Sequence, residues 1–187
     1  MAKILNTKEE IRDTIKKIKE KIEKKHKGTN NKIFRLMSCH GPDHKDSGLA
    51  ILLKPLFIEI IKSENWTFYE VTGIYSDERL KMKMEQCKGL IGEKGYLVRA
   101  FITVNSPSVI NPLIIGENDV ILGTDDEKLN TPKKAVHLHG KKYAELFETY
   151  FNSHFNKRNI YTLRDDDGID NDEVTRLKNK LSKIINI

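Results

Sequence analysis

Only two cysteines, Cys39 and Cys87, occur among 187 residues. Two thiols in separate predicted elements cannot form the disulfide framework of a small secreted domain. Both are expected to be small buried hydrophobes in a reducing compartment. Long hydrophobic runs are lacking too. The longest, residues 49–61, is broken by Lys54, Pro55 and Glu59, short of the roughly 20 apolar residues that a bilayer span needs. No apolar segment follows the N-terminal lysine, so no secretory signal is read and the expected location is cytoplasmic. A broad charge imbalance is also missing. The chain carries +6, but residues 1–27 hold ten Lys/Arg against five acids, a surplus of five that leaves about one for the rest. The pI of 9.1 thus describes an N-terminal segment, and on that ground nucleic acid is disfavoured as a partner.

What is present is one domain's worth of chain, 38% hydrophobic, enough for a real core. Thr7-Lys8-Glu9-Glu10 reads as a capping box opening a helix. Ile11, Ile15, Ile18 and Ile22 follow at spacings of four, three and four, a narrow seam that would pack on the domain's side or on a partner. Gly28 stops it. A mostly buried strand is expected at residues 32–38, then a polar loop to Gly48 and an apolar helix to about Lys62. A strand at 66–72, a helix from Ser76 or Asp77 to Leu90 and a strand at 96–104 come next, followed by a hairpin, a turn-rich stretch at 124–134 and a strand at 135–139. Helices at 141–155 and 173–185 flank an acidic loop at 165–172. This alternation predicts an α/β fold with a mixed sheet flanked by helices. The expected organisation is a basic N-terminal helix and linker (1–31), an α/β domain (32–156), and an acidic loop with a C-terminal helix (157–187).

The segment Asn111-Pro112-Leu113-Ile114-Ile115-Gly116-Glu117-Asn118-Asp119-Val120-Ile121-Leu122-Gly123-Thr124 resembles the active-site hairpin of the phospholipase D superfamily. In that family an H-x-K-x-x-x-x-D segment enters a strand, a tight turn and a second apolar strand follow, and Gly-Ser or Gly-Thr closes the unit. Here the His position holds Val109, the Lys position Asn111 and the Asp position Gly116. Tyr143-Ala144-Glu145-Leu146-Phe147-Glu148-Thr149-Tyr150-Phe151 resembles the helix that closes such domains. The family's chemistry needs a histidine nucleophile and a lysine on the phosphate charge, and neither Val109 nor Asn111 serves. The resemblance therefore implies a half-domain that does not cleave phosphodiesters. It further implies a ligand-sensing or protein-interaction module in a prokaryotic regulatory or defence setting, and face-to-face pairing as a homodimer.

Candidate chemistry was sought elsewhere. His139 and Lys141 have H-x-K spacing, and with His137 on the same strand face they are the alternative catalytic group, a relocated phosphodiesterase or nuclease site. The contiguous His44-Lys45-Asp46 lacks the alternation that would align its side chains. Cys39, His40, His44 and Cys87 match no zinc spacing, and the Asp165–Glu173 run fails an EF-hand register, since Leu163 and Val174 would fall at ligand positions. No metal and no cofactor are expected. The best ligand candidate is the loop leaving the first strand, where His40, His44, Lys45, Ser47 and Gly48 would meet a small anion at a helix N-terminus. Ile11, Ile15, Ile18 and Ile22 are the candidate surface for a homodimer or protein partner.

Overall fold

The computed structural model describes residues 1–27, 32–39, 54–63, 66–90, 93–104, 110–123 and 134–185. In chain order these form β1 (Ala2–Leu5), α1 (Lys8–Lys25), β2 (Lys32–Ser38), α2 (Lys54–Ile61), β3 (Trp66–Ile74), α3 (Asp77–Lys88) and β4 (Tyr96–Ile102). Then come β5 (Pro112–Ile115), β6 (Asp119–Gly123), β7 (Ala135–His139), α4 (Lys141–Phe155), β8 (Tyr161–Asp165), β9 (Gly168–Ile169) and α5 (Asn171–Ile185). The described strands make one mixed sheet in the order β1-β7-β6-β5-β2-β3-β4-β8-β9. Parallel pairing joins β2 to β3 and β3 to β4; every other neighbour is antiparallel. The expected α/β class with a mixed sheet and flanking helices is what forms.

Alternation along the strands divides the core in two. Phe34, Leu36, Phe68, Val98 and Ile121 turn to the side covered by α1, α2, α3 and α5. Met37, Val71, Ile114 and Val120 turn to the other side, where Ala144, Phe151 and Phe155 of α4 cover them. The α1 seam lies in the first layer: Ile11 and Ile15 are fully buried and Ile18 nearly so, with Ile22 packed against the same cluster. This corrects the expectation of a partner surface. A narrow seam suffices because β1 joins the sheet edge and α1 folds back over it, so the chain covers those isoleucines itself.

Two other local expectations change. At the α1 start, Thr7 Oγ1 accepts the Glu10 N–H at 3.1 Å, but the Glu10 carboxylate reaches back to the Asn6 N–H at 2.6 Å rather than to Thr7. The stretch read as an acidic loop is a hairpin: β8 ends at Asp165, β9 begins at Gly168, and Gly168 has φ 118°. Asp165 Oδ1 accepts the Asp167 N–H, and Asp170 caps α5 by accepting the Glu173 N–H at 2.9 Å.

One ion pair lies inside the first layer. Lys83 of α3 donates to Glu70 Oε1 at 2.5 Å, both side chains almost wholly buried. The Tyr96 hydroxyl donates to Glu70 Oε2 at 2.7 Å. Burial, then the Glu70 charge, keeps the Tyr96 hydroxyl protonated well above the usual phenol range. A buried pair with its remaining lone pairs satisfied holds α3 in register on β3.

Candidate functional site

The carboxyl ends of parallel strands are where open α/β sheets bind ligands. At that end of the sheet Asn111, which the sequence resemblance would align with a lysine, accepts the Cys39 N–H through Oδ1 at 2.8 Å and donates from Nδ2 to the Cys39 carbonyl at 3.5 Å. One side chain thus supplies the partners that a fourth strand residue would have found at the end of β2. Close packing fills the space beside it: a Cβ on Gly73 would lie 2.7 Å from the Thr103 side chain and 3.2 Å from Cys39 Cα. Tyr150 of α4 reaches the Ile110 backbone next door.

Gly116, which the resemblance would align with an aspartate, is closed as well. Gly116 turns the β5–β6 hairpin at φ 59°, a left-handed conformation that favours glycine. A Cβ there would meet Ile22 Cδ1 at 2.8 Å, because the last turn of α1 lies over the hairpin. An aspartate would be strained and would collide. Val109 and Thr124, the other two motif positions, lie outside the described residues, as do His40, His44, Lys45, Ser47 and Gly48 of the candidate ligand loop.

Cys39, at this same end, is 2% exposed. Burial pushes its thiol well above the usual range, and burial pushes the Cys87 thiol up to about 11. Both cysteines are the inert core residues expected.

The relocated group divides. His137 and His139 converge, as strand alternation predicts, and they do so on Asp119. Asp119 opens β6 opposite His139, and its Oδ1 lies 2.7 Å from His137 Nε2 and 2.7 Å from His139 Nδ1. Burial alone would raise the Asp119 carboxyl; hydrogen bonds from the two imidazoles and their attraction outweigh it and hold it below the usual carboxylate range. Lys141 does not join them. Its exposed ammonium faces Glu145 at 3.7 Å, one helical turn along α4. The trio lies toward the opposite ends of the strands from Asn111, since β5 and β7 both run away from the carboxyl end of β2.

A cleft of about 500 Å³ opens where β4 ends, between the α4–β8 connection and α5. Among the described residues its walls carry Lys157, Arg158, Arg176 and Lys180, with His154 and the rings of Phe101 and Tyr161 among them, and no carboxylate. The Lys157 ammonium lies 5.9 Å from the Phe101 ring centre, and the Arg176 guanidinium 5.8 Å from that of Tyr161. Arg176 also pairs with Glu173 on its own helix. Sequence reading missed this cluster for an arithmetic reason. Residues 157–187 contain seven Lys/Arg and six Asp/Glu, so a linear count gives near neutrality. The fold turns the acids onto the β8–β9 hairpin and the start of α5, and gathers four cations in the cleft.

No protein-family model and no curated protein matches the sequence. Among solved structures, the chain is similar to TrmBL2, an archaeal chromatin protein whose structure shows a novel mode of DNA binding. The TM-score is 0.50 and the identity 17%, over 82% of this chain and 52% of that one. The chain thus spans about half the length of TrmBL2. Looser likenesses are to NucT from Helicobacter pylori (TM-score 0.47, 10% identity, 83% of this chain and 95% of that one) and to phosphatidylserine synthase from Haemophilus influenzae Rd KW20 (0.47, 10%, 82% and 40%), both phospholipase D-like superfamily members. The expectation that nucleic acid is disfavoured as a partner is overturned. A DNA-binding chromatin protein shares this fold, and net charge was the wrong measure where the charge is local. No described helix is long and apolar enough to cross a membrane.

Proposed function

We propose that this chain is a catalytically silent phospholipase D-like module that binds a nucleic-acid strand at the cleft between the end of β4 and α5. The observation that carries the binding is the convergence of Lys157, Arg158, Arg176 and Lys180 on a cleft whose walls, among the described residues, hold no carboxylate. Nucleic-acid affinity comes chiefly from cations neutralising phosphates. Single strands add stacking on aromatic faces, for which Phe101 and Tyr161 are at hand. A cleft that sets cations beside aromatic faces suits a single strand, whose bases are free to stack.

Silence in cleavage is supported by Asn111, which is committed to the Cys39 backbone, and by Gly116, which has no room for a side chain. His137 and His139 lie toward the opposite ends of the strands, and Lys141 is turned away from them. That TrmBL2 is a DNA-binding protein makes the reading compatible with the fold.

The test is fluorescence anisotropy with a labelled single-stranded oligonucleotide, read across a salt series, with the oligonucleotide recovered afterwards and sized. Four phosphate contacts give a slope of log K against log salt of about −2.8. Reversing Lys157 and Arg158 together to Glu weakens binding by at least about tenfold, and the recovered strand is intact. Equal affinity in wild type and double variant, or affinity independent of salt, overturns the binding reading. Shortened strands lost in His139→Ala would restore the relocated enzyme. Competition by a mononucleotide at similar concentration would shift the ligand from strand to nucleotide.

A further inference from the structure

Asp119, His137 and His139 have no part in the cleft, and their geometry is more specific than a structural hydrogen bond requires. The three residues come from adjacent antiparallel strands, His139 directly opposite Asp119 and His137 two residues back on the same face. Their candidate donor atoms, one carboxylate oxygen and two imidazole nitrogens, all lie within 4.8 Å of one another. Both nitrogens address the same oxygen, although a carboxylate offers two. Asp119 is 6% exposed, whereas the His139 side chain is 46% exposed, so the group is closed on one side and open on the other.

We infer that these residues form a binding site for a divalent first-row transition metal, zinc being the probe of choice. Two imidazoles and one carboxylate are a donor set suited to such ions rather than to magnesium or calcium, which take oxygen alone. Zinc bonds of roughly 2.0–2.2 Å in tetrahedral array put ligand atoms about 3.4 Å apart. The present separations run from 2.7 Å to at most 4.8 Å, bracketing that value, so rotations of the side chains suffice and no backbone need move. On binding, each imidazole presents a lone pair to the ion through the nitrogen that now faces Asp119, with its proton on the other ring nitrogen. No redox change is involved. The open side, past His139, leaves a fourth position for water.

Two features set the expected strength. One carboxylate offsets only half of a dication's charge. Lys3, opposite His137 in the β1–β7 register, adds a positive charge on the same face. The site is therefore expected to bind in the micromolar range, below the affinity of closed structural zinc sites. Bound metal would join β6 to β7 near the end of α1, away from the cleft.

The inference is tested on the full chain, stripped with a chelator. Calorimetric titration with zinc is expected to give one ion per chain, and cobalt(II) is expected to give the visible bands of a tetrahedral nitrogen–oxygen site. His139→Gln, at a half-exposed position that leaves the fold intact, is expected to lose at least about tenfold in zinc affinity and the cobalt bands. Asp119→Asn should do the same, its folding checked by circular dichroism. No saturable binding, binding in several weak equivalents without cobalt bands, or unchanged affinity in His139→Gln would overturn it. Oligonucleotide binding at the cleft is read separately, so failure here leaves the proposed function standing, and the converse.

Discussion

Replacing Asn111 by Ala separates a structural bracket from a catalytic position. In wild type Asn111 Oδ1 accepts the Cys39 N–H at 2.8 Å, and Nδ2 makes a longer bond to the Cys39 carbonyl. Cys39 itself is 2% exposed, so little water reaches its backbone. Removing the side chain leaves a buried N–H without its acceptor, a loss of about 1–3 kcal/mol; the 3.5 Å bond adds little, being at the limit of useful geometry. Asn111→Lys, which places a lysine where the sequence resemblance would align one, removes the same acceptor and is expected to cost a similar amount. Neither variant should cleave a phosphodiester. The assay is equilibrium urea unfolding, with Lys178→Ala on the exposed side of α5 as a control within about 0.5 kcal/mol. If Asn111→Ala unfolds within about 0.5 kcal/mol of wild type, the side chain is not bracing β2 and the argument that it is committed fails.

Three further outcomes follow from the core and the hairpin. Lys83→Met strands the Glu70 carboxylate that it meets at 2.5 Å and should cost about 3–5 kcal/mol, whereas pairing it with Glu70→Leu should recover much of that loss in the same urea assay. Gly116→Ala should cost more than about 1 kcal/mol, because φ is positive and Ile22 Cδ1 occupies the space; shortening the neighbour in Gly116→Ala/Ile22→Ala would relieve only the clash. Cys39 and Cys87 should resist alkylation in native protein at pH 8 and react on unfolding. Because burial raises both thiols, their contribution to stability is complete below the ordinary thiol range. It declines as pH rises from about 8.5, where the unfolded chain begins to ionise, toward about 11, where Cys87 follows. A native protein that alkylates at the unfolded rate would contradict the burial.

Much of the architecture was legible because its signals are local. The α1 cap, the buried β2 run, the α3 start at Ser76 and the β5–β6 hairpin each lie within one short window. Strands at the margins were not. In β1 only Leu5 is buried, so Ala2-Lys3-Ile4-Leu5 offers no alternation to read. In β8 and β9 the acidic residues around the Gly168 turn masked a hairpin whose inward residue is Leu163. The site was harder still. His137 and His139 were visible as an alternating pair, but Asp119 becomes their partner only through the β6–β7 register. Lys157 and Arg158 meet Arg176 and Lys180 only because the β8–β9 hairpin and the start of α5 carry the six intervening acids out of the cleft. The α1 seam failed as a partner surface for a related reason. Its width was read correctly, but the sheet that covers it is built from strands distant in sequence.

The measurement closest to the central claim is the salt dependence of single-strand binding by the wild-type chain and by Lys157→Glu/Arg158→Glu, with the strand sized at the end. The account predicts a slope of about −2.8 in wild type, a shallower slope and at least about tenfold weaker binding in the variant, and full-length strand throughout. Salt-independent binding, or binding that the double reversal leaves unchanged, would contradict it, and so would strand cleavage by the wild-type chain.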